Sequence, residues 1–122
     1  MPKVLLVTDE PWVRNQVRAA LTQPSTTLLE EADPFRVPDL VLDERPDVVL
    51  IDSQIGTMGG MATTRAIRDA VLMRGAQPVR VVILLDRQAD AFLAQRAGAA
   101  SWLTKPFTSH QLQEAMDEGR VA

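Results

Sequence analysis

The sequence has no cysteine and only one histidine, His110. Without cysteine, the chain has no disulfide, no thiol nucleophile and no cysteine ligand for zinc. With one histidine, a metal site built from several histidines is excluded, and Ser-His-Asp chemistry would depend on His110 alone. Basic residues are not in excess either, because 13 Lys and Arg stand against 16 Asp and Glu, for a net charge of −3. This balance argues against a domain that binds the phosphate backbone of nucleic acid.

Long apolar segments are missing as well. No run approaches the roughly 20 apolar residues that a membrane-spanning helix requires, and the first residues lead into a short apolar run without the pattern of a signal peptide. We therefore expect a cytoplasmic protein that does not enter a membrane. The 122 residues, 46% of them hydrophobic, suit one globular domain over residues 1–122.

Three short runs are almost continuously apolar and contain many β-branched residues. They cover residues 4–7, 48–51 and 79–85, and polar residues follow each of them. Continuous apolar strands are typical of a parallel sheet with helices on both faces, because a strand with one wet face would alternate. Residues 26–29 and Ser101–Thr104 are weaker candidates for two further strands.

The segments between these strands show helical spacing. Apolar residues three and four positions apart predict five helices. The first and third cover about residues 11–22 and 60–73, the second lies within 34–45 and begins near Pro38, the fourth is short, and the fifth runs from about 108 to Gly119. One helix after every strand predicts an α/β fold with a doubly wound, five-stranded parallel sheet.

Two local predictions concern the third and fourth helices. Phe92, Leu93 and Ala97 are expected on the buried face of the fourth helix, with Gly98 capping its C-terminus. The glycines within residues 58–61 predict a flexible loop before the third helix, since glycine adopts conformations closed to other residues.

Polar residues collect at the carboxyl edge of the predicted sheet, where open parallel sheets carry their functional groups. They are Thr8-Asp9-Glu10 after the first strand, Asp52 after the third, Asp86 after the fourth and Thr104-Lys105 after the fifth. Two carboxylates within a few ångströms repel each other, and a cation relieves that repulsion. Mg²⁺ suits such a pair because it accepts one or two carboxylates and keeps several waters. An ammonium group beside the pair would favour a dianionic ligand such as phosphate.

The order of these residues resembles the receiver domain of two-component response regulators, and the resemblance covers the whole chain. The matching segments are Val7-Thr8-Asp9-Glu10-Pro11, Pro46-Asp47-Val48-Val49-Leu50-Ile51-Asp52, Met58-Gly59-Gly60, Ala97-Gly98-Ala99 and Leu103-Thr104-Lys105-Pro106-Phe107. Each segment is a weak signal by itself, but in this order and at about the family's spacing they form a strong one. The resemblance implies a flavodoxin-like (βα)5 fold with strand order 2-1-3-4-5.

The resemblance also implies a chemistry for this edge. Asp52 would be the phosphoacceptor and would form an acyl phosphate with a phosphoryl group from a kinase histidine or a small phosphodonor. Mg²⁺ would be held by Asp9, by Asp52 and by the backbone carbonyl of Gln54. Lys105 would pair with a phosphoryl oxygen, and with Asp52 when that group is absent. A cis bond is implied before Pro106.

Among the departures from the family pattern, which include Gly56 and Gly59 after Asp52, three concern the site directly. Thr8 stands where the family has the first of two acids, which predicts weakened Mg²⁺ binding. The Ser or Thr expected after the fourth strand is replaced by Leu85 or Asp86, so no hydroxyl would reach a phosphoryl oxygen, and an acid there would repel it. Trp102 takes the place of the aromatic switch residue, usually Tyr or Phe, and its bulk is expected to fix it on the surface outside the pocket.

Ordinary structural roles are open for several of these residues. Asp9 suits the N-cap of the first helix, a role it could share with metal binding. Thr8 suits a strand-end or capping residue without chemistry, and Asp52 could simply end its strand. Asp86 and Arg87 could form a local pair that locks the loop after the fourth strand.

Three aromatic side chains have structural expectations of their own. Phe107 is expected in the core under the last helix, and Trp12 near the rim of the site. His110 is expected to be exposed in the first turn of the last helix, without a catalytic role.

As a receiver without an output domain, the chain would act by docking on other proteins. The expected partners are a sensor histidine kinase or phosphotransfer protein, and an output protein that binds the fourth helix, the fifth strand and the fifth helix, over about residues 89–119. Exposed polar side chains are expected around Trp102 on this face: Gln95, Arg96, Gln111, Gln113 and Glu114. Neither nucleic acid nor a membrane is expected as a partner, and a homodimer through the first and fifth helices or the fourth-helix face is open.

Three functions are open from the sequence. The favoured one is a Mg²⁺-dependent phosphoacceptor that changes conformation on phosphorylation, because Asp9, Asp52 and Lys105 are intact. The second is a phosphorylation-independent pseudo-receiver that serves as an interaction module, which Thr8 and the missing hydroxyl favour. The third is a phosphatase with Asp52 as nucleophile, but such enzymes commonly place a second Asp two residues later, where this chain has Gln54. We therefore expect no enzyme activity.

Overall fold

The structure, a computed structural model, describes residues 2–117 and shows five strands that alternate with five helices. The strands are β1 Lys3–Val7, β2 Thr27–Glu31, β3 Val48–Asp52, β4 Arg80–Leu85 and β5 Ser101–Thr104. The helices are α1 Pro11–Ala20, α2 Val37–Glu44, α3 Gly60–Met73, α4 Ala91–Ala97 and α5 Ser109–Asp117. Short 3-10 turns, Pro34–Arg36 and Gln88–Asp90, precede α2 and α4. The predicted end of the last helix, Gly119, lies outside the described residues.

All neighbouring strands pair in parallel, in the order β2-β1-β3-β4-β5. This confirms the predicted α/β fold class and strand order. Because the strands are parallel, their carboxyl ends meet at one edge of the sheet, with β3 between β1 and β4. Within residues 2–117, no helix combines the length and the apolar character that crossing a membrane would require.

The three central strands are buried on both faces, as their continuous apolar runs predicted. Alternate side chains of β1, β3 and β4 point to opposite sides of the sheet and build two separate cores. One core includes Leu5, Val49 and Ile83 and packs against α2, α3 and α4. The other includes Leu6 and Leu50 and packs against α1 and α5. The sheet is therefore rigidly held from both sides beneath the edge that carries the polar residues.

The second strand and second helix differ from prediction by one or two residues. β2 starts one residue later than expected and extends to Glu31, because it is an edge strand paired only with β1 and tolerates polar residues. Glu30 in this extension forms an ion pair with Arg18 at 2.7 Å between Oε2 and Nε. α2 begins at Val37, so that Pro38 lies in its first turn, where proline is tolerated.

The predicted buried face of α4 is partly wrong. Ala94 and Ala97 are fully buried, whereas Phe92 is 62% exposed and Leu93 is 47% exposed. α4 has only seven residues and packs against both α3 and β5, so small side chains fit the contact while larger ones turn outward. Gly98 caps α4 in the left-handed conformation as predicted, with φ of 98°.

Candidate functional site

Asp52 is the centre of the polar cluster at the carboxyl edge of the sheet. It is the last residue of β3, and its side chain is fully buried. Three donors hold its carboxylate. Oδ1 accepts hydrogen bonds from Lys105 Nζ at 2.7 Å and from the Gln54 backbone N–H at 3.1 Å. Oδ2 accepts one from Thr8 Oγ1 at 2.9 Å. A buried carboxylate is stable only when paired in this way, so these contacts account for its burial.

Thr8 contacts Asp52, and this contact was not predicted from the sequence. It is buried directly after β1, and besides donating to Asp52 its hydroxyl accepts a hydrogen bond from the Glu10 backbone N–H at 3.1 Å. Thr8 is thus a strand-end residue as expected, but its hydrogen bond to Asp52 was not foreseen. β1 and β3 are neighbours in the sheet, which places their ends side by side. The strand order implied by the resemblance, applied to Thr8 and Asp52 together, was the signal that could have revealed this contact.

Lys105 lies between two carboxylates. Its Nζ is 2.7 Å from Asp52 Oδ1 and 2.9 Å from Asp86 Oδ1, and its side chain is only 6% exposed. Burial by itself lowers the pKa of Lys105, but the hydrogen bonds and charges of Asp52 and Asp86 outweigh it, so the pKa is raised. The ammonium is therefore a fixed positive charge at neutral pH. The Lys105-Pro106 peptide bond is cis, as the resemblance implied.

Leu85, the last residue of β4, and Asp86, which follows it, stand in the place of a hydroxyl residue. Leu85 is fully buried in the core. Asp86 is 41% exposed in its side chain and pairs with Lys105. The alternative of a local pair between Asp86 and Arg87 is not realised, because Arg87 pairs with Asp90, at 3.0 Å. Neither of the two side chains carries a hydroxyl.

Asp9 is exposed and lies beside the loop that follows Asp52. Its Oδ2 accepts a hydrogen bond from the Gly56 backbone N–H at 3.2 Å. The N-cap of α1 is Glu10, so the capping role considered for Asp9 is wrong. Gln54 contributes its backbone N–H to Asp52, while the metal-binding role of its carbonyl stays a prediction.

The start of α3 packs tightly against the end of β3. A Cβ on Gly60 would lie 2.8 Å from the Asp52 carbonyl oxygen and 2.9 Å from Ser53 Cα, distances too short for any side chain. Gly60 and Met61 belong to α3, so the predicted flexible loop over residues 58–61 is wrong in its second half. Gly60 is thus required where the helix meets the strand that carries Asp52.

The carboxylates fit a weakly held divalent cation. A carboxylate oxygen can accept two hydrogen bonds; Oδ1 of Asp52 already has two within residues 2–117, whereas Oδ2 has one and keeps a lone pair. The exposed carboxylate of Asp9 could supply a second oxygen. One or two carboxylates with several waters suit Mg²⁺. No group of three or more His, Cys, Asp or Glu able to hold a metal occurs among the described residues.

The aromatic residues fall on different sides of this site. The Trp12 ring centroid lies 5.8 Å from the Lys105 ammonium, at the rim where it was expected. Phe107 is buried in the core with α5, which confirms its prediction. Trp102 is half-buried and packs against the core on the α4 side, as a partly buried surface aromatic would. His110 is exposed as predicted and pairs with Glu114 at 2.5 Å.

The face formed by α4, β5 and α5 carries the expected polar side chains. All five of the residues predicted to be exposed there are exposed: Gln95, Arg96, Gln111, Gln113 and Glu114. Arg96 also lies over the exposed Phe92 ring, 5.6 Å from its centroid. The role of this face in docking stays a prediction.

Comparison with known proteins agrees with this geometry. A family model described as a response regulator receiver domain matches residues 4–117. Protein PilH of Pseudomonas aeruginosa is 30% identical over 118 residues, which cover 96% of each chain. The receiver domain of the sensor histidine kinase PA1611 of the same species, solved with a magnesium ion coordinated in its active site cleft, is 26% identical with a TM-score of 0.80, over 95% of this chain and 94% of that one. Chemotaxis protein CheY4 of Vibrio cholerae shares the fold at 23% identity, with a TM-score of 0.80 over 96% of this chain and 97% of that one.

Proposed function

Because this chain belongs to the response regulator receiver domain family of two-component signalling, we propose that it accepts a phosphoryl group on Asp52 with Mg²⁺. The observation that carries the proposal is the buried Asp52 carboxylate bound directly by the Lys105 ammonium. A nucleophile and a fixed positive charge at one sheet edge are what transfer of a dianionic group requires.

Several residues of the chain take part in the transfer, each in a different role. A carboxylate oxygen of Asp52 attacks phosphorus and forms a new P–O bond, while the bond from phosphorus to the donor's nitrogen or oxygen breaks and that atom keeps the electron pair. Lys105 faces the charge that accumulates on the phosphoryl oxygens. The Gln54 N–H and the Thr8 hydroxyl orient the carboxylate. When bound, Mg²⁺ would be held by Asp9, Asp52 and the Gln54 carbonyl, and would offset that charge.

The partners follow from the family. Receiver domains interact with histidine kinases or phosphotransfer proteins, and we extend this to the present chain as the source of its phosphoryl group. We also propose that an output protein docks on the face of α4, β5 and α5, where the exposed Phe92 offers an apolar contact among polar residues. Receiver domains are signalling modules and generally not enzymes, so turnover of phosphate esters is not part of the proposal.

Acetyl phosphate tests the proposed function directly. In the presence of Mg²⁺, the chain is expected to gain an adduct of about 80 Da, the mass of one phosphoryl group, in intact mass spectrometry. Chelation of Mg²⁺ with EDTA is expected to reduce the labelled fraction at least about ten-fold, since the charge of the transferring group would lose its counterion. A chain that stays unlabelled at saturating Mg²⁺ would contradict the proposal.

That outcome would support a second function, a module that binds partners without phosphorylation. The observation in its favour is the buried Leu85 in the place of a hydroxyl residue, which leaves the residues directly after β4 without a donor for a phosphoryl oxygen. In that case the docking face would bind its partner equally well with and without acetyl phosphate.

Thr8 offers a test of the metal site. The Thr8→Asp variant is expected to bind Mg²⁺ about ten-fold more tightly, because the added carboxylate raises the negative charge around the cation. Without metal it should unfold more easily than wild type, since two carboxylates would then repel each other at the buried end of β1. Titration with Mg²⁺ followed by tryptophan fluorescence, to which Trp12 at the rim of the site contributes, measures the affinity.

Thr8→Asn is the matched control for this variant. It has nearly the same shape as Asp but no charge, so its Mg²⁺ affinity should stay at or below that of wild type. Equal gains in both variants would show that charge at position 8 does not determine the affinity.

A further inference from the structure

We propose that Asp86 holds the segment between β4 and α4 against Lys105, and that a phosphoryl group on Asp52 releases this segment by displacing Asp86. The inference rests on the proposed function and concerns the regulation of the same site. It assigns Asp86 a positioning role that acts through Lys105.

Two acids, Asp52 and Asp86, share the ammonium group of Lys105. Lys105 Nζ lies 2.7 Å from Asp52 and 2.9 Å from Asp86, with its side chain 6% exposed. The Asp52 side chain is fully buried and comes from the centre of the sheet, whereas Asp86 is 41% exposed and comes from a loop. Of the two acids, Asp86 is therefore the one that can leave Lys105 and be hydrated in water.

Phosphorylation would change the charge at Asp52. An acyl phosphate carries more negative charge than the carboxylate it replaces and extends outward from the buried β3 end, toward the same ammonium. It would compete with Asp86 for Lys105 and would also repel the Asp86 carboxylate. Both effects move Asp86 in the same direction, away from the site.

The side chains at the end of β4, Leu85 and Asp86, lack a hydroxyl. A Ser or Thr at the end of β4 could donate to a phosphoryl oxygen and draw the following segment inward. The Leu85 side chain is buried in the core and has no donor, and the Asp86 carboxylate has only acceptors. No side chain at these two positions can therefore donate a hydrogen bond to a phosphorylated Asp52.

The segment itself is lightly held elsewhere. Arg87 and Asp90 pair with each other inside it, and Gln88 accepts a hydrogen bond from Thr104 Oγ1 at 2.7 Å. α4 follows at once with its exposed Phe92. Loss of the Asp86 contact would consequently loosen residues 86–90 and the start of α4.

Hydrogen exchange with and without a phosphoryl mimic tests this directly. We compare wild type, Asp86→Asn and Asp90→Asn, each alone and with Mg²⁺ and beryllofluoride, and follow peptides that cover residues 86–93. Native mass spectrometry of the same samples shows whether the mimic is bound. Asp90→Asn removes a charge from the same segment and leaves the Asp86–Lys105 pair intact.

The rate of amide hydrogen exchange in residues 86–93 of wild type is expected to rise roughly three- to ten-fold when beryllofluoride binds, because a partly exposed ion pair is lost. Asp90→Asn should show the same response. Asp86→Asn should exchange faster already without the mimic and change little when it binds. This pattern supports the inference.

Three results would overturn it. If the mimic binds and exchange in wild type stays constant or slows, or if Asp86→Asn without the mimic exchanges like wild type, the inference fails and the proposed function stands. If the mimic binds to none of the proteins and acetyl phosphate leaves no adduct, the proposed function fails and the inference with it.

Discussion

Asp52→Asn is expected to abolish the adduct of about 80 Da that acetyl phosphate and Mg²⁺ produce on the wild-type chain. An amide oxygen is a poor nucleophile, so the step that forms the new P–O bond is lost. Asn has nearly the shape of Asp and can still accept a hydrogen bond from Lys105 and the Gln54 N–H. The fold is therefore expected to survive, and the loss is chemical. Intact mass shows whether the adduct is lost, and circular dichroism of the same preparation shows whether the fold is retained.

Asp47→Asn is the matched control for this substitution. Asp47 directly precedes β3, at the opposite end of the strand from Asp52, and its carboxylate accepts a hydrogen bond from the Lys3 backbone N–H at 2.7 Å. The same change of chemistry at the far end of the strand should leave the adduct at its wild-type level. An adduct that persists in Asp52→Asn would place the phosphoacceptor elsewhere, and fragment mass spectra would locate it.

Lys105→Met is expected to lower the free energy of unfolding by about 3–5 kcal/mol at neutral pH. Met has a similar length and apolar stem but no charge, so the buried Asp52 carboxylate would keep only the Thr8 and Gln54 donors. An unpaired charge in the interior is costly, and measurement in EDTA keeps Mg²⁺ from replacing the lost ammonium. Asp86 contributes less to this cost, since it is partly exposed and can be hydrated. Chemical denaturation measures the change.

Two further variants show whether the cost comes from the unpaired charge. In the double variant Asp52→Asn with Lys105→Met the carboxylate is gone, and more than half of the lost stability should return. Lys3→Met removes another lysine ion pair, to Glu44 at 3.3 Å, but this pair is partly exposed, so it should cost less than about 1 kcal/mol. If Lys105→Met costs no more than Lys3→Met, the Lys105–Asp52 pair does not stabilise the fold.

Much of the architecture was predictable because it depends on local patterns. The apolar runs of β1, β3 and β4 and the helical spacing between them identified a parallel sheet covered on both faces, and the structure confirms it. β2 was placed less accurately, since an edge strand is only partly buried and its last residues are charged. The buried face of α4 was also mistaken, since in such a short helix the space left by α3 and β5 decides which side chains fit.

At the site, too, features that depend on local patterns were predictable and contacts that depend on packing were not. The sequence placed Asp9, Asp52, Asp86 and Lys105 after strands, and a parallel sheet brings strand ends to one edge, so their proximity could be predicted. Their hydrogen bonds could not. The hydrogen bond from Thr8 to Asp52 and the ion pair between Asp86 and Lys105 had no signal within the neighbouring residues.

The sequence by itself therefore determined the fold class, the sheet edge that carries the site and the types of residue gathered there, because hydrophobic periodicity and strand ends are read within a few neighbouring positions. Only the tertiary structure decided which donor meets which acceptor. Thr8 reaches Asp52 across 44 positions of chain, and Lys105 reaches it across 53. Contacts over such separations depend on strand order and on side-chain packing to within an ångström, and a hydrogen bond is lost when its atoms move by about that distance.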